Sequence, residues 1–250
     1  MTDRSNIAPI SPERPTPLRR TWLRNRWEEL TFVHWPYPPE IVQALLPDGL
    51  TVDTHDGWAY VSLIPFRMSD AAPRFVPSVP WISRFLETNV RTYVIDSAGN
   101  RAIWFFSLEA NRLAIVAFAK GLLGFPYVWS EMSLEIQGDT RRYTTRRRRW
   151  PREPGSTTDV TIEVGSTIDE PDGLDHFLTA RWGTVASSPL SGRRLQHHPV
   201  DHEPWTLHEA ELIDYRDESI VAAGLPTPSG TPRVRFAEPV RATFAIPDAV

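Results

Sequence analysis

The chain has 250 residues, with 27 basic and 31 acidic side chains and no cysteine, and all-β chains of this length often form one domain with a substantial core. The absence of cysteine excludes disulfides, thiolate nucleophiles and cysteine-based metal sites, and the formal net charge of -4 gives the whole molecule no attraction for nucleic acid or acidic membranes. Because no apolar run could span a bilayer and residues 1–20 contain no apolar stretch of the secretion-signal type, we expect a soluble cytoplasmic protein with no membrane partner.

Residues 1–20 carry four prolines and few apolar side chains, which predicts a disordered or loosely attached arm ahead of a single domain over residues 21–250. In that domain, Pro38 and Pro39 can open a short helix, because a proline at a helix start loses no hydrogen bond. Repeated prolines without a clear period predict a long loop over residues 69–84. Strands are predicted over the segments 22–33, 50–52 and 58–66.

Four polar residues, Glu87, Asn89, Arg91 and Tyr93, share one face of the next predicted strand, because alternate side chains of a strand point the same way. The strand after it, over residues 102–108, is apolar on both faces, which is typical of a sheet covered on both sides. A polar strip inside a barrel or cone reconciles the two observations. Arg91 would offer a forked donor to a carboxylate, and Glu87 could act as an acid or base if burial raised its pKa. The alternative is a solvated face of a half-exposed sheet.

A third strand is predicted over residues 113–120. It places Lys120, the only lysine of the chain, on the same face as Val116 and Phe118. A lysine desolvated among apolar side chains has a lowered pKa and can form a Schiff base with a carbonyl substrate. The alternative is that Lys120 lies at the end of the strand, next to Gly121, and keeps its ammonium group in water.

The second half of the chain continues as short strands with few helices. A hairpin is predicted around Gly138 and Asp139, a polar loop over residues 187–204, and one helical turn within residues 217–224. A further helix is predicted directly after Gly173. Strands are predicted over the segments 158–164, 182–186, 209–215, 234–236 and 241–246. About ten strands, two or three short helices and no linker predict a mainly β (β-rich α+β) fold, closed or strongly curled to protect its edges.

Two more groups of polar residues could carry a function. The run from Arg146 to Arg149 could bind the phosphates of a nucleic acid, but charges along a strand alternate between its faces, and a solvated hairpin suits the acidic net charge better. The segment from His197 to His208 holds four histidines at a spacing that matches no metal-ligand pattern. We therefore expect no metal site, no cofactor and no nucleic-acid partner.

Six segments that follow each other through residues 22–225 carry a family pattern: LTFVHWPYPPEIVQALLPDGLTVDTHDGWAYVSLIPFRM, FLETNVRTYV, WFFSLEA, AFAKGLLGFPY, FLTARW and EPWTLHEAEL. Together they resemble the DUF2071 family (YqjF-like proteins) of the acetoacetate decarboxylase-like superfamily. The resemblance implies one large antiparallel β cone or barrel with a few short helices at its rim and an internal cavity.

The decarboxylase branch of that superfamily carries glycine, arginine and glutamate, then a spacer, then an aromatic residue, proline and the lysine that forms the Schiff base. The resemblance places Lys120 at the arginine, Gly121 at the glutamate and Tyr127 at the Schiff-base lysine, and Phe125 and Pro126 match the aromatic–proline pair. It therefore implies that both the acid and the nucleophile of the known decarboxylation are missing from their usual places.

The resulting functional prediction is a cavity that binds a small molecule with a carboxylate or carbonyl group. Arg91 and Lys120 would face its anionic end, and Glu87 and Tyr127 would supply proton transfer or hydrogen bonds. The other predicted ligand contacts are Asn89, Tyr93, Phe118 and Phe125. Two alternatives stay open: a lyase that uses Lys120 as a relocated amine on a keto acid, and a protein that interacts with nucleic acid or another protein through the Arg146–Arg149 hairpin. The sequence also leaves room for a homo-oligomer.

Overall fold

A computed structural model of the chain describes residues 7–148 and 155–249. Strands dominate these residues, and short helices connect some of them. The strands are β1 (Thr21–Glu28), β2 (Leu30–Tyr37), β3 (Thr51–Val52), β4 (Ala59–Pro73), β5 (Phe85–Ile95), β6 (Arg101–Ala110), β7 (Tyr127–Gln137), β8 (Thr140–Arg147), β9 (Thr157–Thr167), β10 (Gly183–Ser187), β11 (Leu195–His202), β12 (Leu207–Asp217), β13 (Arg233–Ala237), β14 (Val240–Ala245) and β15 (Asp248–Ala249). The α-helices are α1 (Pro39–Gln43), α2 (Pro80–Ser83), α3 (Leu113–Phe118), α4 (Gly173–Thr179) and α5 (Ser219–Ala222); a π-helical turn, Ala119–Leu123, follows α3, and a 3-10 turn spans Pro189–Ser191.

The strands form one mainly antiparallel sheet that closes on itself twice. The first ring runs β1-β14-β11-β10-β6-β5-β4 and is closed by the pairing of β4 with β1. The second ring runs β6-β7-β8-β9-β12-β13-β2-β4-β5 and is closed by the pairing of β5 with β6. Closure removes most free edges, which is how large antiparallel sheets avoid edge-to-edge association.

The two rings share strands β4, β5 and β6 as a common wall. Successive side chains of these strands therefore point alternately into one ring or the other. In β5, Val90 belongs to the apolar cluster that fills the second ring, whereas Asn89 and Arg91 line a cavity in the first. In β4, Leu63 and Ile64 divide in the same way. The prediction that this part of the sheet is covered on both faces is confirmed. The interior of the first ring covers one face, and the interior of the second ring covers the other.

The helices are short and lie between strands. α1 begins at Pro39, as predicted, and α4 begins after Asp172, whose carboxylate accepts a hydrogen bond from the amide of Asp175 at 2.8 Å. In the described part of the chain, no helix has the length and apolarity needed to cross a membrane.

The strand predicted over residues 113–120 is wrong, because this segment is α3 and the start of the π-helical turn. The physical reason lies in the neighbouring strands. β6 and β7 pair in parallel, with Leu108 opposite Tyr127, and parallel strands need a crossover connection, which is usually helical. Residues 111–126 make that connection.

The loops predicted over residues 69–84 and 187–204 both contain regular secondary structure. β4 continues to Pro73 and pairs with β1, and α2 lies within the rest of the segment 69–84. The polar loop predicted over residues 187–204 contains β11, which pairs with β10, β14 and β15. Both segments hold polar residues or prolines that mask the strand pattern.

The arm ahead of β1 is described from residue 7 onwards, and residues 1–6 lie outside the described residues. Residues 7–20 contain no helix or strand, but they are fastened to the first ring. Arg14 donates to the carbonyl oxygens of Trp182 and Val200 at 2.6 and 2.8 Å, and the Trp182 indole donates to the carbonyl of Ser11 at 3.1 Å. These hydrogen bonds attach residues 11 and 14 of the arm to the segments around Trp182 and Val200.

Candidate functional site

The first ring encloses a cavity of about 120 Å³. Most side chains that line it are apolar or aromatic, and they come from both the shared wall and the far strands β1, β10, β11 and β14. Trp27 and Trp205 line it as a stacked pair with ring centroids 5.8 Å apart. An engineered apolar cavity of about 150 Å³ accepts benzene, so this space suits a ligand of about the size of benzene or smaller.

One end of the cavity is formed by a carboxyl and a phenol. The Tyr127 hydroxyl donates to Glu87 Oε2 at 2.7 Å, and the side chain of Asn89 also hydrogen-bonds to Glu87. Burial raises the pKa of Glu87 to about 7, against the opposing effect of these two hydrogen bonds. Burial and the neighbouring carboxylate raise the pKa of Tyr127 well above its usual range. At neutral pH, Glu87 is therefore balanced between its acid and base forms while Tyr127 stays protonated.

Tyr127 reaches the cavity because the chain turns sharply just before it. Gly124 ends the π-helical turn with φ +78°, in the left-handed region that favours glycine. A Cβ atom at this position would clash with the carbonyl oxygen of Ser187. Phe125 and Tyr127 then both line the cavity, on the two sides of Pro126.

The other end of the cavity is cationic. Arg91 is only 9% exposed and forms no ion pair with any carboxylate of the described residues. Its Nη2 makes only long hydrogen bonds, of 3.4 Å, to the Tyr93 hydroxyl and the carbonyl of Leu178, and its buried Nε has no partner among the described residues. Its charge also contributes to keeping His34 neutral, because burial and then Arg91 lower the pKa of that imidazole.

A second guanidinium, that of Arg181, lines the same end. Arg181 is 2% exposed and is held by Asp53, whose carboxylate accepts from its Nη1 at 2.6 Å and from Arg101 at 2.6 Å. Its Nε donates to the carbonyl of Phe177 at 2.9 Å, whereas its buried Nη2 has no partner among the described residues. Arg181 was not among the site residues predicted from the sequence. The only signal for it was its place in the segment FLTARW, where nothing in the local pattern indicates burial.

Tyr93 brings the two guanidiniums together. The guanidinium carbons of Arg91 and Arg181 lie 5.5 and 4.8 Å from the centroid of the Tyr93 ring. Tyr93 is fully buried, and its hydroxyl lies 3.0 Å from Ser62 Oγ and 3.4 Å from His34 Nδ1. Tyr93 is not among the residues that line the cavity, so it holds the two arginines from the side that faces away from the cavity.

Thr184 and His198 add two uncharged polar groups near this end. They are directly opposite each other on β10 and β11 and therefore share a face, and Thr184 lines the cavity. Thr184 Oγ1 and His198 Nε2 are buried without a partner among the described residues. The His198 ring packs against Phe125 with centroids 4.9 Å apart, and burial lowers its pKa to about 4, so the imidazole is neutral. From its sequence neighbours, His198 was a candidate only for a metal ligand.

The structure brings together most, but not all, of the predicted site residues. Five line the cavity: Glu87, Asn89, Arg91, Phe125 and Tyr127. Lys120 and Phe118 do not, because both lie exposed on the helical connection between β6 and β7. The expectation that Lys120 faces an enclosed cavity is therefore wrong, and the desolvation that a Schiff-base lysine requires is absent.

The predicted hairpin of β7 and β8 is present, and the arginines within β8 form ion pairs. Arg142 bonds to Asp159 at 2.8 Å, Arg146 to Glu131 at 2.8 Å, and Arg147 to the buried Glu109 at 2.6 Å. Arg149 lies outside the described residues. These pairs weaken the positive field that a phosphate backbone would need.

The histidines between His197 and His208 do not converge on one point. Within residues 7–148 and 155–249, no group of three or more histidine, aspartate or glutamate side chains could hold a metal ion. His202 lines the cavity among Trp27, Trp182 and Trp205, and burial lowers its pKa to about 4.

The double-ring architecture and the enclosed cavity define an acetoacetate decarboxylase-like fold. The structure superimposes on an acetoacetate decarboxylase from Legionella pneumophila with a TM-score of 0.61 and 14% identity over 95% of this chain and 92% of that one. It superimposes equally well on the enduracididine biosynthesis enzyme MppR in complex with pyruvate, with a TM-score of 0.62 and 11% identity over 94% and 92% of the chains. An acetoacetate decarboxylase-like enzyme from Sphingomonas wittichii gives a TM-score of 0.62 and 13% identity over 91% and 92%.

Within this fold, the chain belongs to the DUF2071 family, described as an uncharacterized conserved protein, whose pattern matches residues 24–241. It is similar to the uncharacterized protein YqjF of Bacillus subtilis, with 31% identity over 216 residues that cover 86% of this chain and 87% of that protein. The predicted family and fold are thus confirmed.

Proposed function

We propose that the protein binds a small organic acid in the cavity of the first ring, with the carboxylate at the end formed by Arg91 and Arg181. The observation that carries the proposal is Arg91, a buried arginine with no carboxylate partner in the described part of the chain. Burying a charge without a partner is costly, and buried charges in proteins are normally paired. A ligand carboxylate would supply the missing counter-charge.

The donors at this end suit the two oxygens of a carboxylate. Arg91 Nε, Arg181 Nη2 and Thr184 Oγ1 each lack a partner among the described residues. A carboxylate offers about four lone-pair sites, and guanidinium groups bind it through short, charge-assisted hydrogen bonds. These donors are buried beside a mostly apolar lining, so such bonds would be stronger than at a protein surface.

The end of the cavity formed by Glu87 and Tyr127 favours an enzyme over a protein that only binds its ligand. Glu87, with its pKa raised to about 7, can give or take a proton at neutral pH, and Tyr127 stabilises its ionised form by a hydrogen bond. Tyr127 stands where the resemblance places the Schiff-base lysine, and the lining residues include no lysine. We therefore propose chemistry without an imine, in which Glu87 would act on a ligand held at its other end by Arg91 and Arg181.

The relatives agree with a ligand of this size and charge. The MppR structure contains pyruvate, a small carboxylate with a carbonyl group. At 11% identity this similarity supports only the fold, so the ligand class rests on the arginines of this chain.

Isothermal titration calorimetry with butyrate, pyruvate and acetoacetate tests the proposal. At least one acid should bind, and Arg91→Gln should weaken it at least tenfold, because a charge-assisted hydrogen bond contributes about 1.5–3 kcal/mol. Arg181→Gln should act in the same direction. Arg146→Gln, at an exposed arginine of β8, is the matched control and should leave the affinity unchanged. Equal affinity in the Arg91 and Arg146 variants would refute the carboxylate site.

A further inference from the structure

Asn89 lies between the two ends of the cavity and has one polar atom without a function in the fold. It occupies the cavity face of β5, two residues from Glu87 on one side and two from Arg91 on the other, and it is 4% exposed. Neighbours on one face of a strand are roughly 6–7 Å apart. Its Oδ1 is buried and has no hydrogen-bond partner among the described residues.

The orientation of the Asn89 amide follows from its other neighbour. The side chain of Asn89 hydrogen-bonds to the Glu87 carboxyl group in a way that favours the ionised form of Glu87. Only the amide nitrogen can donate to the ionised form of Glu87, because a carboxylate without its proton accepts and does not donate. Oδ1, which has no partner among the described residues, is left as an acceptor.

A buried acceptor of this kind selects for a donor on the ligand. A ketone or aldehyde oxygen cannot satisfy Oδ1, because it also only accepts, and leaving the acceptor unpaired costs free energy. An ammonium group could donate, but its positive charge would be repelled. Arg91 and Arg181 already bring two positive charges to the cavity, and Glu87 is largely uncharged below neutral pH, so it gives little compensation. A hydroxyl group donates without adding charge.

We infer that the ligand is a small hydroxy acid, whose hydroxyl group donates to Asn89 Oδ1 while its carboxylate binds Arg91 and Arg181. This inference rests on the proposed function, since it adds a second recognition point to the same cavity. Asn89 then determines specificity, by separating hydroxy acids from oxo acids and from unsubstituted acids of equal length.

Calorimetric titration with four-carbon acids tests this assignment. The probes are butyrate, 2- and 3-hydroxybutyrate, 2-oxobutyrate and acetoacetate, and 3-aminobutyrate serves for the ammonium alternative. One of the hydroxy acids should bind about tenfold more tightly than butyrate and than the matching oxo acid, as expected for one buried hydrogen bond. In Asn89→Leu, the ratio of the butyrate and hydroxy-acid dissociation constants should fall to about one.

Thr184→Val is the matched control, because Thr184 faces the carboxylate end. It should weaken all acids by a similar factor and leave the ratio unchanged. Asn89→Ala provides a second variant if Asn89→Leu folds poorly, and circular dichroism checks both. An oxo acid or the amino acid binding as tightly as the hydroxy acid, or an unchanged ratio in both Asn89 variants, would overturn the inference. Binding of none of the acids would instead remove the proposed function.

Discussion

Replacing Glu87 by glutamine tests the central electrostatic feature of the cavity, a buried carboxyl group that resists ionisation. Glutamine keeps the shape of the side chain and an oxygen that can accept from Tyr127, but it cannot ionise. The variant therefore removes the penalty for ionising Glu87 in the folded protein and changes little else.

The magnitude follows from the pKa of Glu87. Burial raises it from 4.5 to about 7 in the folded protein. The folded state thus binds more protons than the unfolded state between these values, and the stability contributed by the protonated form is lost as the pH rises from about 4.5 through 7. A pKa difference of about 2.5 corresponds to about 3 kcal/mol, since a tenfold change in an equilibrium is 1.36 kcal/mol.

Urea denaturation followed by tryptophan fluorescence, at pH 5 and pH 8, measures this effect. We expect Glu87→Gln to gain about 2.5 kcal/mol in unfolding free energy over the wild type at pH 8, relative to the same comparison at pH 5, because part of the loss has already occurred at pH 5. Other titrating groups, such as His198 and His202, contribute equally to both proteins and cancel. Glu163→Gln, at an exposed glutamate of β9, is the control and should show the same difference at both pH values. A pH-independent difference for Glu87→Gln would show that its carboxyl group ionises as freely as in water and would refute the reasoning.

Three further perturbations follow from the contacts of the site. Asp53→Ala should cost about 3–5 kcal/mol in urea denaturation, because it leaves the buried Arg181 without its carboxylate partner, and a loss below about 1 kcal/mol would contradict that pairing. Lys120→Gln should leave the melting temperature and acid binding unchanged, and borohydride with acetoacetate should give no adduct at Lys120 by mass spectrometry; such an adduct would revive the lyase alternative. Gly124→Ala should destabilise more than Gly192→Ala, measured by thermal denaturation, because both have positive φ but only Gly124 lies against the backbone of Ser187; equal losses would show that this contact relaxes freely.

Local alternation predicted the strand that carries the site. The positions of Glu87, Asn89 and Arg91 on one face follow from the period of two, which is a property of any extended chain. The burial of that face was expected because the strand beside it is apolar on both sides. In this region, the information needed for the prediction lies within about 25 residues.

The secondary structure of the run from Leu113 to Lys120 could not be predicted from its local pattern. A short, continuously apolar segment fits a buried strand and a helix equally well, and periodicity alone does not separate them. The parallel pairing of β6 with β7 decides in favour of a helix, because the chain must return to the same end of the sheet before β7 starts. Lys120 consequently lies in solvent.

β11 was missed because its inward-facing residues include histidines. His198 and His202 have pKa values lowered to about 4 by burial, so they pack as neutral rings. From the sequence alone, these histidines count as polar, and β11 then shows no alternation of apolar and polar residues.

The β-rich character, the family and the polar row on β5 follow from the order of the amino acids alone, because short segments with recognisable local patterns carry each of them. Which cations share the cavity depends on the closed fold. Arg91 and Arg181 are ninety positions apart in the sequence, and closure of the first ring, with Tyr93 between them, makes them neighbours. Electrostatic interactions depend on distance in space and on exclusion of water, and neither quantity is defined until the sheet has closed.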